Sequence, residues 1–286
     1  MTKRVDWRRR KKHRYWIDQI ISHIVLASLG VIFFLPLFWM ISTSLKPPRQ
    51  IFVFPPVWIP HPLMWSTYLE ALNFVPFLLY LKNTLTICIS TVIGVLLSCS
   101  LVAYGFSRVQ WPERNIVFII LLATMMIPYQ VTIIPMYIVF NKLGWINTFK
   151  PLIVPFFFGT PFYIFLLRQF FMTIPMELSD AAKIDGCSEF RIYCQIILPL
   201  AIPALAVVAL FQFIGVWNDF LGPLIYLRDQ SKFTLSLGLQ QFQSGYHTEW
   251  AMLMAAATMV TMPIIVLFFF TQKTFLQGIS LTGIKG

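Results

Sequence analysis

The residues of this chain able to do chemistry fall into two short stretches. The first is Glu177–Pro199, reading E-L-S-D-A-A-K-I-D-G-C-S-E-F-R-I-Y-C-Q-I-I-L-P, the longest charge-rich interruption downstream of the N-terminus. It sets Glu177, Asp180 and Asp185 among the small residues Ala181, Ala182 and Gly186. Pro175 suits a helix start, because its φ is already helical and its missing N–H would have no partner there. Glu177 and Asp180 then fall in the first turns, where carboxylates complement the positive end of the helix dipole. Gly186 can take the left-handed conformation that ends a helix. Ser188 can cap a second helix, which Pro199 should kink. The expected product is helix, tight turn, helix: an acidic knob whose alanines let another surface come close. Its chemistry is docking.

The second stretch is Trp217-Asn218-Asp219 at the end of an apolar run. Asn and Asp can hydrogen-bond hydroxyl groups while an indole stacks on an apolar face. The same trio can equally cap a helix and tie it to its neighbours, and both readings stand at this point. An Asp at that depth is costly in lipid and should face protein or water. Absent patterns narrow the chemistry further. His13, His23, His61 and His247 are scattered, so they do not converge as a catalytic set. Cys88, Cys99, Cys187 and Cys194 form no C-x-x-C pair, which indicates neither a metal site nor a disulfide framework. No G-x-x-x-x-G-K-[ST] phosphate loop occurs, so nucleotide chemistry is not expected on this chain.

The elements that must position these stretches follow from composition. Of 286 residues, 58% are hydrophobic and 12% charged, with a mean hydropathy of +0.73. A water-soluble domain needs far more charged surface, so the class is an all-α membrane protein. Crossing a bilayer takes about 20 helical residues. Runs free of Lys, Arg, Asp and Glu occur at 19–45, 50–69, 83–107, 115–141, 151–167, 192–218 and 250–272. The run 50–69 carries Pro55, Pro56, Pro60 and Pro62. It cannot sustain a helix, and irregular backbone is not tolerated against lipid. Six transmembrane helices remain.

Charge sets their orientation. Lys3, Arg4, Arg8, Arg9, Arg10, Lys11, Lys12 and Arg14 precede the first apolar run, as expected of a cytoplasmic N-terminus. Six spans then place fifteen Lys and Arg inside and seven outside, with both termini cytoplasmic. The net charge of +11 is thus explained by orientation and anionic lipid, not by nucleic acid. The first apolar run is too long for a cleavable signal peptide. The expected division is a basic tail over 1–15 and a membrane domain over 16–286, with the knob in a cytoplasmic loop at 172–199.

Finer expectations accompany each span. Trp16 and Trp39 suit interfacial anchoring of the first span, and His23 reads as an interfacial residue. Thr67 and Glu70 have capping-box spacing for a short outer helix over 67–73. Trp58, Trp65 and Tyr68 offer an aromatic face to a partner protein or to lipid headgroups. In the second span Ser90, Thr91, Gly94, Ser98, Ser100, Ala103 and Gly105 let helices approach closely. Pro128 should kink the third span, at about 115–134. Pro155, Gly159 and Pro161 weaken the outer half of the fourth.

The spacing D-A-A-x-x-D-G, nine residues, I-x-L-P, from Asp180 to Pro199, resembles the "EAA" loop of bacterial ABC importer permeases, with Asp180 where that family usually has Glu. Further segments are similar to the maltose-type second permease of carbohydrate importers: Leu101-Val102-Ala103-Tyr104-Gly105-Phe106-Ser107-Arg108, Ile164-Phe165-Leu166-Leu167 with Arg168-Gln169-Phe170-Phe171, Trp217-Asn218-Asp219-Phe220, and the tail Thr282-Gly283-Ile284-Lys285-Gly286. The resemblance implies the type I importer permease fold in a bacterial cytoplasmic membrane. It also implies a second homologous permease, two ATPase subunits holding ATP and Mg, and an extracytoplasmic solute-binding protein. No cofactor would sit on this chain. Glu177, Asp180, Ala181, Ala182, Asp185 and Gly186 would dock the ATPase, and Trp217, Asn218 and Asp219 would lie near the substrate path. The implied cargo is a di- or oligosaccharide, with glycerol-3-phosphate or another small solute as the alternative.

Two rival classes are weaker. An ion-coupled carrier usually places ionisable residues inside its spans, and these spans are nearly free of them. A membrane enzyme would need the convergent His, Asp, Glu or Cys that are missing here.

Overall fold

A computed structural model describes residues 3–243 and 248–283, with side-chain surroundings for Tyr15, 18–243 and 248–272. His13, His247 and the terminal Ile284-Lys285-Gly286 therefore lie outside what is described at side-chain level. The chain divides into two compact units, Met1–Ala71 with Phe242–Met259, and Leu72–Gln241 with Val260–Gly286.

In the first unit, α1 (Lys3–Ser44) is one uninterrupted helix. The basic segment expected as a separate tail is its opening turns, because Lys and Arg are good helix formers and no breaker stands between them and the apolar run. Every residue from 18 to 36 is exposed. The C-terminal end of the helix is buried. Ser42 donates to the Trp58 carbonyl, and the Ser44 and Tyr68 hydroxyls meet at 2.8 Å. Lys46, only 1% exposed, sits 3.6 Å from the Trp39 ring centroid and donates to Thr43 Oγ1 at 3.2 Å. Burial holds its ammonium below the usual lysine range. The proline-rich segment is irregular, as expected. α2 (Ser66–Phe74) starts one residue earlier than expected. Thr67 is therefore inside the helix and buried, and the Thr67–Glu70 capping box does not form.

The second unit is organised on α3 (Phe77–Ser107). Val95, Cys99 and Ala103 on α3 are fully buried in one cluster with Leu167, Phe171 and Val208. Gly94 leaves room for a different neighbour, the Phe157 ring: a Cβ there would stand 2.7 Å from it. After α3, the chain runs through α4 (Arg114–Ala123) and α5 (Tyr129–Lys142), which meet at 95°. The expected kink is thus a sharp break. Ile127 precedes Pro128 and is extended (φ −77°, ψ 115°), since the proline ring disfavours the helical conformation of the residue before it.

The next span is a short turn Lys150–Ile153, a 3-10 segment Val154–Phe158, Gly159 at φ +94°, and α6 (Pro161–Thr173). The stretch Glu177–Pro199 supplies α7 (Glu177–Ile184) and most of α8 (Glu189–Leu200). α9 (Ile202–Trp217), α10 (Leu221–Tyr226), α11 (Leu235–Leu239) and α12 (Trp250–Gly283) complete the chain. α8 contains a π-turn at Tyr193–Ile197, directly before Pro199, and meets α9 at 78° across Ala201. Pro199 and Pro203 both lack the N–H that would carry the ladder through this corner.

Among the described residues, four helical segments are long and apolar enough to cross a membrane: Asp18–Ser44, Phe77–Ser107, Lys150–Thr173 and Trp250–Gln272. The two bent pairs qualify when each is taken together, giving up to six.

Candidate functional site

The knob forms much as its residues dictate. Glu177 and Asp180 occupy the first turn of α7, both exposed. Met176, not Pro175, is the N-cap, and its carbonyl accepts from the Ser179 and Asp180 amides at 2.9 and 3.1 Å. Pro175 stands one residue further out, and its carbonyl accepts from Arg108 at 3.3 Å. At the other end Gly186 has φ +80°. Its amide bonds the Lys183 carbonyl at 3.0 Å, and the Cys187 amide bonds that of Ala182 at 2.9 Å. That pair of bonds is the Schellman ending of a helix, and a left-handed residue is what closes it. Ser188 caps α8 by accepting from the Arg191 amide at 3.4 Å.

α7 has two faces. Ser179 and Ala182, three apart and hence on one side of the helix, are buried, with Ala182 in the main core cluster. Glu177, Asp180, Ala181, Asp185 and Gly186 are exposed. Of the two alanines read as an approach surface, only Ala181 is available to one; Ala182 is spent on the chain's own packing. The outward face carries an apolar residue that residue type alone did not single out: Ile184, 87% exposed at the tip of the knob.

The stretch is fastened from behind by α3. The Ser100 and Tyr193 hydroxyls meet at 2.7 Å, and the Tyr104 and Tyr193 rings lie 5.3 Å apart. The Tyr104 hydroxyl donates to Glu189 Oε2, whose other oxygen pairs with Lys183 at 2.7 Å. Arg108 is 3% exposed. Its guanidinium donates to the carbonyls of Phe171, Ile174 and Pro175. Burial lowers the Arg108 pKa, and the nearby Asp180 carboxylate opposes that shift. In the sequence Arg108 and Tyr104 show only as members of a family-like run. Their partners are 63 to 85 residues away, beyond any local pattern.

The trio is arranged differently. Trp217 is 2% exposed; its ring lies 5.5 Å from that of Phe213, and its Nε1 donates to the Val260 carbonyl at 3.2 Å. Asn218 donates back to the Ile214 carbonyl at 2.9 Å. Asp219 Oδ1 accepts from the Gly222 amide at 3.1 Å. Of the three, Asp219 lines a cavity of about 170 Å³ with Thr84, Tyr129, Tyr226 and Thr234. Ligand pockets usually run to roughly 300–1,000 Å³, so this cavity is closed to an oligosaccharide. Trp217 ties α9 to α12, while Asn218 and Asp219 bond main chain within four residues of themselves.

Residues 90–280 match the profile of the binding-protein-dependent transport system inner membrane component family. The chain belongs to that family. It is therefore a membrane-spanning permease, and the matched region holds both the knob and the trio. Among its relatives, the arabinooligosaccharides transport system permease protein AraQ of Halalkalibacterium halodurans is 37% identical over 204 residues, covering 71% of this chain and 73% of that one. The diacetylchitobiose uptake system permease protein NgcG of Streptomyces coelicolor is 30% identical over 263 residues, covering 91% and 87%. A chain in the crystal structure of a bacterial ABC transporter that imports the acidic polysaccharide alginate superposes with a TM-score of 0.80 at 23% identity, over 91% of this permease and 96% of that chain. The helical fold is that of ABC importer permeases.

Proposed function

We propose that this permease is one of a pair of membrane subunits in an ATP-driven, binding-protein-dependent importer of a di- or oligosaccharide, working by alternating access. The observation that carries the proposal is the knob. α7 presents two first-turn carboxylates, Asp185 and an 87% exposed Ile184 outward while Ser179 and Ala182 on its opposite face are buried, and the segments flanking it are hydrogen-bonded to α3. An apolar tip ringed by acids on a rigidly backed helix is what a lever seated in another protein requires. We assign Glu177, Asp180, Ala181, Ile184, Asp185 and Gly186 to contact with an ATPase subunit, which would hold ATP and Mg. The chain itself is assigned no catalytic step.

Six spans with both termini cytoplasmic fit the two bent pairs and the fifteen-to-seven distribution of cations. They put the knob on the ATPase side. The names of AraQ and NgcG favour an oligosaccharide as cargo. The trio supports the path by bracing it, with Asp219 the member placed at a cavity. Co-expression with candidate partner permease and ATPase subunits, followed by uptake of an oligosaccharide panel that includes arabinotriose and diacetylchitobiose, tests the reading. ATPase co-purification with sugar uptake is the expected result. A permease that takes up sugar without ATP, driven by an ion gradient, would overturn it.

A further inference from the structure

The three α3 residues that fasten the coupling stretch are Ser100, Tyr104 and Arg108, spaced by four and so stacked on one side of the helix. Their partners bracket α7. Arg108 holds Phe171, Ile174 and Pro175 ahead of it, while Tyr104 and Ser100 hold Glu189 and Tyr193 behind it. The knob thus has both of its feet on one helix. Arg108 is built for this and little else. It is buried, its terminal nitrogens donate to three main-chain carbonyls and to Met176 Sδ, and its Nε has no partner among the described residues. A buried guanidinium is costly unless its fork is satisfied, and here the fork is satisfied by the end of α6 and the loop before α7.

We propose that the Ser100–Tyr104–Arg108 face of α3 is the transmission clamp of the permease, with Arg108 as a positioning residue that makes the knob and α3 one rigid body. A displacement imposed on α7 would then be delivered to α3, the helix packed against both α6 and α9 in the core. The inference rests on the coupling reading of the knob.

The test uses the complete transporter in nanodiscs, with Cys187 and Cys194 replaced by Ser and spin labels at Gln110 and Phe190, both exposed. ATP with vanadate is the probe, and pulsed dipolar spectroscopy reads the distance between the labels. In the otherwise unmodified protein the distance distribution should be narrow and the same before and after trapping. Arg108→Gln should broaden it about two-fold, as expected of a hinge replacing a rigid contact, while the ATPase still co-purifies. Arg108→Lys, which keeps the charge but not the fork, should broaden it similarly; Tyr104→Phe should do so to a smaller degree and serves if the Arg108 variants do not assemble. A distribution that shifts on trapping in the unmodified clamp would overturn the proposal, as would one that stays narrow in all three variants. Gly186→Val separates the layers: if it loses the ATPase while the clamp variants stay narrow, the coupling reading stands and the clamp falls. If Gly186→Val retains the ATPase and uptake in full, the coupling reading falls and the clamp with it.

Discussion

The knob and the Trp217–Asp219 trio are both polar breaks in an apolar chain, yet the fold uses them in opposite ways. The knob turns its carboxylates out and two small residues, Ser179 and Ala182, inward. The trio turns its largest group in, with Trp217 2% exposed, and satisfies its polar atoms within a few residues or on the α12 main chain. One leaves its polar groups on the surface; the other bonds them to main chain. Polarity in a membrane protein therefore does not by itself mark a ligand site. The discriminating observation is where each polar atom finds its partner.

That contrast can be broken by substitution. The largest effect should come from Trp217→Ala, which empties a buried ring site and typically costs about 3–5 kcal/mol. Thermal unfolding of the detergent-solubilised permease should fall markedly, and sugar uptake and ATPase co-purification should fall together. A Trp217 variant of normal stability that fails only in uptake would move the trio to the substrate side. Gly186→Val comes next. A Cβ there meets no neighbour within 4 Å, so the penalty is the left-handed backbone alone, about 1–2 kcal/mol. Co-purifying ATPase should drop about ten-fold with membrane insertion unchanged, read by quantitative immunoblotting.

Asp219→Ala removes the acceptor for the Gly222 amide and should cost about 1 kcal/mol, as loss of a cap does. Unfolding and uptake should decline in proportion; uptake lost at normal stability would mean that the carboxylate meets cargo. Smallest in stability is Asp180→Ala, an exposed change expected to lie within about 0.5 kcal/mol. Its signature should be weaker ATPase co-purification at an unchanged unfolding temperature, the reverse of the Trp217 pattern.

The knob was legible in the sequence because its determinants are local. A capping serine, a glycine nine residues past the first acid, and carboxylates at a helix start act on backbone within a turn or two of themselves. The division of Ala181 from Ala182 was not legible, since it depends on which side of α7 meets the core. Arg108, Tyr104 and Ser100 were hidden for the same reason: their partners arrive from 63 to 93 residues away. The helical class and the unhelical proline-rich run followed from hydropathy and from proline's missing N–H. The sharpness of the breaks at Pro128 and Ala201 did not. A proline says that a ladder bond is missing, and the packing around it decides whether the helix bends slightly or turns a corner. Thr67 was misread as a cap because α2 starts at Ser66, and Pro175, read as a helix start, stands two residues before Glu177, the first residue of α7.

The outward-facing α1 has a consequence for how this chain can vary. Every residue from 18 to 36 is exposed, so over that length the protein's own interior does not read one aliphatic side chain against another. That helix carries composition more than spelling. Its letters can be shuffled among Leu, Ile, Val, Phe and Ala with the length kept, and the information that must be conserved is concentrated at its far end, where Ser42, Ser44 and Lys46 are individually addressed.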